Sequence, residues 1–277
     1  MQPDANMEKQ IQTAKQAAEA GNVLEIRDLS LSYGDADIVR HASLSVKRGE
    51  ILCIAGESGS GKSTLLKAIH GMDAVNVTGG DICYEGRSIL SLDRGERRRM
   101  MGTGIGLIPQ NPQGSFNPLR TFGRQMKETM KSHGMDFDRD EMVRLMDSMG
   151  LPDGSKLIDS RPFELSGGMN QRVAIVFSLL LQPKILLCDE ITSALDVTSG
   201  KMVIHEIESY AERSNAAIVM VTHHLGIADR IADTVAVMNR GEIVEYGPCR
   251  KVLYDPEDSY TKMLLEKIPR IRREARP

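Results

Sequence analysis

Apolar and polar positions alternate from Val23 onward: Leu24 and Ile26, then Leu29 and Leu31, put apolar side chains on one face of an extended chain. Leu44 and Val46 repeat the pattern. A Lys47-Arg48-Gly49-Glu50 turn follows, and Ile51 to Ala55 is apolar without a break, as in a buried strand. That run ends in glycines and passes into a helical segment, Ser63 to Ile69, the strand–loop–helix order of a parallel α/β unit. Ile82–Tyr84, a Glu85-Gly86 turn and Arg87–Leu90 predict a hairpin.

From about 98 to 165 the character changes, with Met126 and Met130 in 118–133 and Met142 and Met146 in 138–149 at helical spacing. This predicts an inserted helical subdomain whose methionines are first of all core. The α/β order then resumes with a helix from Ser166, strand Ile185–Cys188, helix Val197–Glu212, strand Ala217–Thr222, helix Leu225–Ile231, and strands Val235–Met238 and Ile243–Glu245. The main domain is expected over 23–246. Residues 1–22, helix formers with only Met7 and Ile11 as large apolar groups, read as an N-terminal extension. Residues 247–277 read as a C-terminal one, with a helix over Ser259–Ile268 and an arginine-rich tail (Arg270, Arg272, Arg273, Arg276) expected to be a solvated charge run.

The 35 Lys and Arg against 38 Asp and Glu leave −3, so no overall basic field draws the chain to nucleic acid or anionic lipid. Cys53, Cys83, Cys188 and Cys249 are too scattered for a zinc or redox motif, which fits a reducing compartment. The longest apolar stretch, Val173 to Leu181, is interrupted by Ser178 and falls well short of the ~20 residues of a spanning helix. The opening residues have neither a basic start nor an apolar stretch, so no secretory signal is expected.

The strongest chemical signal is Gly56-Glu57-Ser58-Gly59-Ser60-Gly61-Lys62-Ser63-Thr64, a complete GxxxxGK(S/T) pattern directly after a buried strand and opening a helix. Glycines let consecutive backbone N–H groups turn inward on phosphate oxygens, and the helix N-terminus adds its positive end. Lys62 reaches the outer phosphates and Ser63 ligates magnesium. A triphosphate site is expected. Its acidic half is supplied by Ile185–Cys188 ending in Asp189-Glu190, where successive side chains diverge: Asp189 faces the magnesium, and Glu190 faces the γ-phosphate side to polarise the attacking water. Leu165-Ser166-Gly167-Gly168-Met169 opens an apolar helix with Ser166 as N-cap. Read alone, this is either a second anion site or a capped core helix.

Taken together, these motifs, with Ser193-Ala194-Leu195-Asp196 and His223 after Val221-Thr222, resemble an ABC-type ATPase subunit from about Leu24 to Gly247. The resemblance implies an α/β fold: a P-loop NTPase core with a parallel sheet, an antiparallel β subdomain and an inserted α-helical subdomain. It implies ATP and Mg2+ as cofactors, Tyr33 stacking on adenine, Gln110 as the lid glutamine near the metal, and His223 as the γ-phosphate histidine. On the residues alone, Tyr33 is equally a strand-end tyrosine and Gln110 an ordinary loop glutamine. In the family two subunits pack head to tail, so that ATP on one phosphate loop is capped by the Ser166-Gly167-Gly168 turn of the other. Ile191 stands where the family usually has Pro and His224 where it usually has Asp. Neither departure removes a phosphate, metal or water ligand, so hydrolysis is expected to survive.

The Glu57-Ser58 start of the loop, Gln113-Gly114-Ser115-Phe116-Asn117-Pro118-Leu119 and Ser259-Tyr260-Thr261-Lys262-Met263-Leu264-Leu265 resemble the ATPase subunits of bacterial peptide/nickel importers. That implies an energising subunit at the cytoplasmic face of the cell membrane. Its partners would be a second ABC ATPase, identical or related, two membrane permeases and, indirectly, a solute-binding protein, with no nucleic acid. The helical subdomain would receive a permease's coupling helix. With only Cys249 beyond the core, no iron–sulfur cluster is expected. The alternatives are a soluble ABC ATPase acting on DNA or ribosomes, and a nucleotide-gated interaction module without turnover.

Overall fold

A hairpin longer than the alternation predicts opens the computed structural model, which describes residues 21–72 and 75–267, with only the backbone of Gln113. Strand β1 (Asn22–Tyr33) turns at Gly34-Asp35 into β2 (Ala36–Lys47). The antiparallel register pairs Tyr33 with Ala36 at one end and Asn22 with Lys47 at the other. Residues 36–43 are therefore strand through pairing rather than through their own sparse apolar pattern. The N-terminal extension expected over residues 1–22 and the arginine tail lie outside the described residues, apart from Gly21 and Asn22.

Along the chain there follow β3 (Ile51–Ala55), α1 (Lys62–Ile69), β4 (Asn76–Tyr84) and β5 (Arg87–Ser88). Next come α2 (Arg94–Met100), β6 (Ile105–Ile108), α3 (Phe122–Ser132), α4 (Arg139–Ser148), α5 (Gly154–Leu157) and α6 (Gly167–Leu180). The chain continues with β7 (Ile185–Asp189), α7 (Val197–Ser214), β8 (Ala217–Val221), α8 (Leu225–Ile231), β9 (Thr234–Asn239), β10 (Glu242–Pro248), α9 (Cys249–Tyr254) and α10 (Ser259–Glu266).

These elements form two compact units, one made of the residues through Ser91 and those from Val219 on, the other of Leu92–Ile218. In the first, β2, β1, β4 and β5 make an antiparallel sheet in that order. Beside them β3 pairs in parallel with β9, from Leu52 opposite Thr234 to Ala55 opposite Val237, and β10 adds an antiparallel edge. All five residues of β3 are buried, as an unbroken apolar run demands.

The second unit carries the methionine-rich helices. Met126, Met142, Met146 and Met149 are fully buried and Met130 nearly so, which makes them core. One element there departs from the sequence pattern: Ile105–Ile108 is a strand inside the segment expected to be helical, paired in parallel with β7 from Ile105 opposite Ile185 to Ile108 opposite Cys188. Gly106 interrupts the apolar run, and pairing with the partner strand makes these residues extended. Phe116, Phe122 and Phe177 meet edge to face, with centroids 5.2 to 6.2 Å apart. Phe122 is wholly buried, so Phe122→Ala is expected to destabilise this unit by about 3–5 kcal/mol through lost contact and the cavity left behind. Urea unfolding of the variant checks this, and an unchanged midpoint would contradict the packing.

Candidate nucleotide site

The phosphate loop begins where β3 ends, and its shape is set by what lies beneath it. Gly56 has φ +147°, and a Cβ placed there would come within 2.2 Å of the Met238 carbonyl oxygen on neighbouring β9. Gly61 has φ +103° and lies against Ile38 O and Val39 of β2, so its Cβ would sit 3.0 Å from that oxygen. Only glycine meets both demands. The β9–β10 hairpin supports the loop as well: Gly241 N donates to Ser60 O at 3.0 Å and Gly241 O accepts from Arg40 N at 2.8 Å. Arg240 and Gly241, the two central residues of that turn, both have positive φ, as a two-residue hairpin with native twist needs.

Lys62, the first residue of α1, is buried, and its ammonium group is not idle. Nζ donates to Gly56 O at 2.9 Å, to Glu57 O at 2.7 Å and to Ser60 Oγ at 3.3 Å. The loop thus already holds a cation over its own curl. In the same unit Tyr33 closes β1 at the hairpin end, partly exposed. His223 lies just past β8, exposed, its ring 4.0 Å from that of His224 at a 45° tilt. The His224 N–H donates to Thr222 Oγ1 at 3.0 Å, which fixes the turn that presents both imidazoles.

In the second unit β7 is buried throughout and delivers Asp189, itself buried, at its last position. Glu190 follows with φ +47°, a left-handed conformation uncommon outside glycine. Its carbonyl accepts from Ser193 N at 3.0 Å, so the chain turns sharply and the carboxylate is thrown clear of the strand. There it accepts a 2.9 Å hydrogen bond from Gln110 Nε2. Because β6 and β7 are parallel neighbours, residues just past their C-terminal ends are brought side by side, which the sequence pattern did not reveal. Ile191 is almost fully buried, so the residue standing in place of the usual Pro serves as core.

The Ser166 turn is built as expected for a cap: Ser166 Oγ accepts from Met169 N at 3.3 Å at the start of α6, with Ser166 and Gly167 exposed. Asn170 holds this turn, a role sequence reasoning missed. Its buried Nδ2 donates to Pro162 O, Leu165 O and Ser166 O at 2.9, 3.3 and 3.2 Å. Gln171 Nε2 reaches Pro109 O at 3.4 Å and ties the same helix to the loop carrying Gln110. Asp196 caps α7 through Thr198 N and Ser199 N, and the Ser199 bonds hold its carboxyl below the usual range. That cap is complete above the ordinary aspartate range and is lost as pH falls through the lowered value.

A glycine-lined loop between a buried parallel strand and a helix, with a mixed sheet, an antiparallel sheet and flanking helices, defines the P-loop nucleoside triphosphatase class. The ABC transporter family matches residues 39–193, more than half of the sequence, and the chain belongs to that family. It is 38% identical over 259 residues to the dipeptide transport ATP-binding protein DppD of Lactococcus lactis subsp. cremoris, covering 90% of this chain and 74% of that one. It is 39% identical over 269 residues to the oligopeptide transport ATP-binding protein OppD of Salmonella typhimurium, covering 94% and 80%. Among solved structures, the ATP-binding cassette MJ0796, in a dimeric post-hydrolysis state bound to ADP and Pi, matches with a TM-score of 0.73 at 26% identity. The match covers 82% of this chain and 99% of that one. Family membership makes this chain a nucleotide-binding ATPase.

Proposed function

We propose that the chain is the ATP-hydrolysing subunit that energises a bacterial importer for peptides, nickel or a related solute. The peptide-transport relatives, matched over most of their length, support this reading. The observation that carries it is the pre-organised loop in which Lys62 is already held over Gly56 and Glu57. On this reading Tyr33 stacks on adenine, and the loop of Gly56, Glu57, Ser58, Gly59, Ser60, Gly61, Lys62, Ser63 and Thr64 cradles the phosphates with those of its backbone N–H groups that turn inward. Glu190 polarises the attacking water, and His223 contacts the γ-phosphate.

The donor set fits Mg2+. Ser63, Asp189 and Gln110 offer hard oxygens, and no cluster of three or more His, Cys, Asp or Glu exists among the described residues to hold a metal on its own. Magnesium characteristically takes one or two protein ligands and completes its shell with phosphates and water. When bound, it neutralises charge on the β- and γ-phosphate oxygens. The Gln110–Glu190 hydrogen bond restrains the carboxylate through the amide Nε2–H, so it is Oε1 that Gln110 would offer to a metal.

The proposed partner at the nucleotide is a second ABC ATPase, identical or related, whose Ser166-Gly167-Gly168 turn closes over the γ-phosphate. ATP then holds two subunits together and its hydrolysis releases them, a cycle that two membrane permeases convert into transport. No helix among the described residues is long and apolar enough to cross a membrane, so attachment at the cytoplasmic face would be through those permeases. Affinity isolation from detergent-solubilised membranes is expected to recover two integral membrane subunits and to raise ATP turnover. Recovery with nucleic-acid machinery alone would overturn the transporter reading.

A further inference from the structure

The Ser259-Tyr260-Thr261-Lys262-Met263-Leu264-Leu265 motif lies far along the chain from the phosphate loop, yet the fold brings its helix onto that loop. Helix α10 is anchored before it starts: Glu245 on β10 accepts from Glu257 N at 2.8 Å and from Asp258 N at 3.3 Å. Asp258 then caps the helix, accepting from Tyr260 N at 2.8 Å and Thr261 N at 3.1 Å, while Thr261 is almost completely buried. Tyr260 is thereby held in the first turn with its hydroxyl on the loop, where it accepts a hydrogen bond from Glu57 N at 3.1 Å. At the C-cap of the helix, Lys267 Nζ pairs with Glu57 Oε1 at 2.8 Å.

The Gly56–Glu57 peptide is consequently gripped on both sides. Its N–H points to Tyr260, and its carbonyl oxygen, Gly56 O, receives Lys62 Nζ. A planar peptide cannot rotate one group without the other, so the Tyr260 hydroxyl sets the orientation of an oxygen that positions Lys62. We propose that α10 is a positioning arm for the phosphate loop: Tyr260 orients the peptide that holds Lys62, and Lys267 neutralises the Glu57 carboxylate that would otherwise repel an incoming triphosphate. This deepens, and rests on, the assignment of residues 56–64 to triphosphate. The pair holds Glu57 below its ordinary range and Lys267 above its own, so both ends stay charged across neutral pH.

The test is Mg-ATP binding and steady-state turnover of the full chain, as parent, Tyr260→Phe, Lys267→Met and Lys267→Met with Glu57→Gln. Tyr260→Phe is expected to raise Kd and KM for Mg-ATP by about three- to tenfold, the worth of one hydrogen bond, and to leave kcat unchanged. Lys267→Met is expected to raise KM at low salt, less so at high salt, and adding Glu57→Gln is expected to recover the loss by removing the stranded carboxylate. A helix that merely packs would show neither the charge rescue nor the salt dependence. If the parent binds Mg-ATP and both single variants bind it equally well, the positioning arm is refuted. A parent that itself fails to bind Mg-ATP would instead overturn the triphosphate assignment.

Discussion

Lys62→Ala is expected to remove nearly all ATP turnover without unfolding the protein. Lys62 is buried, and its ammonium group donates to Gly56 O, Glu57 O and Ser60 Oγ. Lys62 is the first residue of α1 and alanine is the best helix former, so the helix is expected to survive the substitution. On the proposed reading, Nζ exchanges carbonyl oxygens for phosphate oxygens when a polyanion enters the loop, gaining charge-assisted bonds that strengthen as charge shifts toward the leaving group. Removing one such donor costs about a hundred- to a thousandfold in rate. The variant should also lack the thermal stabilisation by Mg-ATP that is expected of the parent, because that shift reports binding directly. Turnover within a few-fold of the parent would refute the phosphate-loop assignment.

Glu190→Gln should separate binding from chemistry. The substitution keeps length and shape, and the amide oxygen can still accept from Gln110 Nε2 where the carboxylate does now. It removes the negative charge and the capacity to take a proton from water. Loss of a positioned base lowers turnover by about a hundred- to ten-thousandfold. Phosphate contacts are untouched, so ATP affinity should persist, and the bound nucleotide, no longer consumed, should hold two subunits together. Single-turnover kinetics and gel filtration with Mg-ATP measure the two effects. Unimpaired hydrolysis would remove Glu190 from the chemistry, and an equally inactive parent would favour a binding module that does not turn over.

The chemistry was most legible where its residues are contiguous. The nine residues from Gly56 to Thr64 carry their own turn, dipole and cation, and the apolar run before them announces the strand they need. Ile185–Cys188 was readable for the same reason, as was the N-cap at Ser166. β6 escaped because Gly106 interrupts its apolar run inside a segment whose methionines follow a helical spacing, and with it went the meeting of Gln110 with Glu190. The demand that residue 56 be glycine was legible as a motif, but its cause, the Met238 carbonyl below it, was not.

The amino-acid order alone determined the class of the protein, its phosphate loop and the acidic pair at a strand end, because short-range geometry and side-chain chemistry act over a few neighbouring residues. Tertiary structure alone decided what stands beside each of those groups. Gln110 touches Glu190, Gly241 supports Ser60, and Tyr260 reaches back about two hundred residues to Glu57. Such neighbours follow from which strands pair and where a distant helix is anchored, and no local periodicity encodes those pairings.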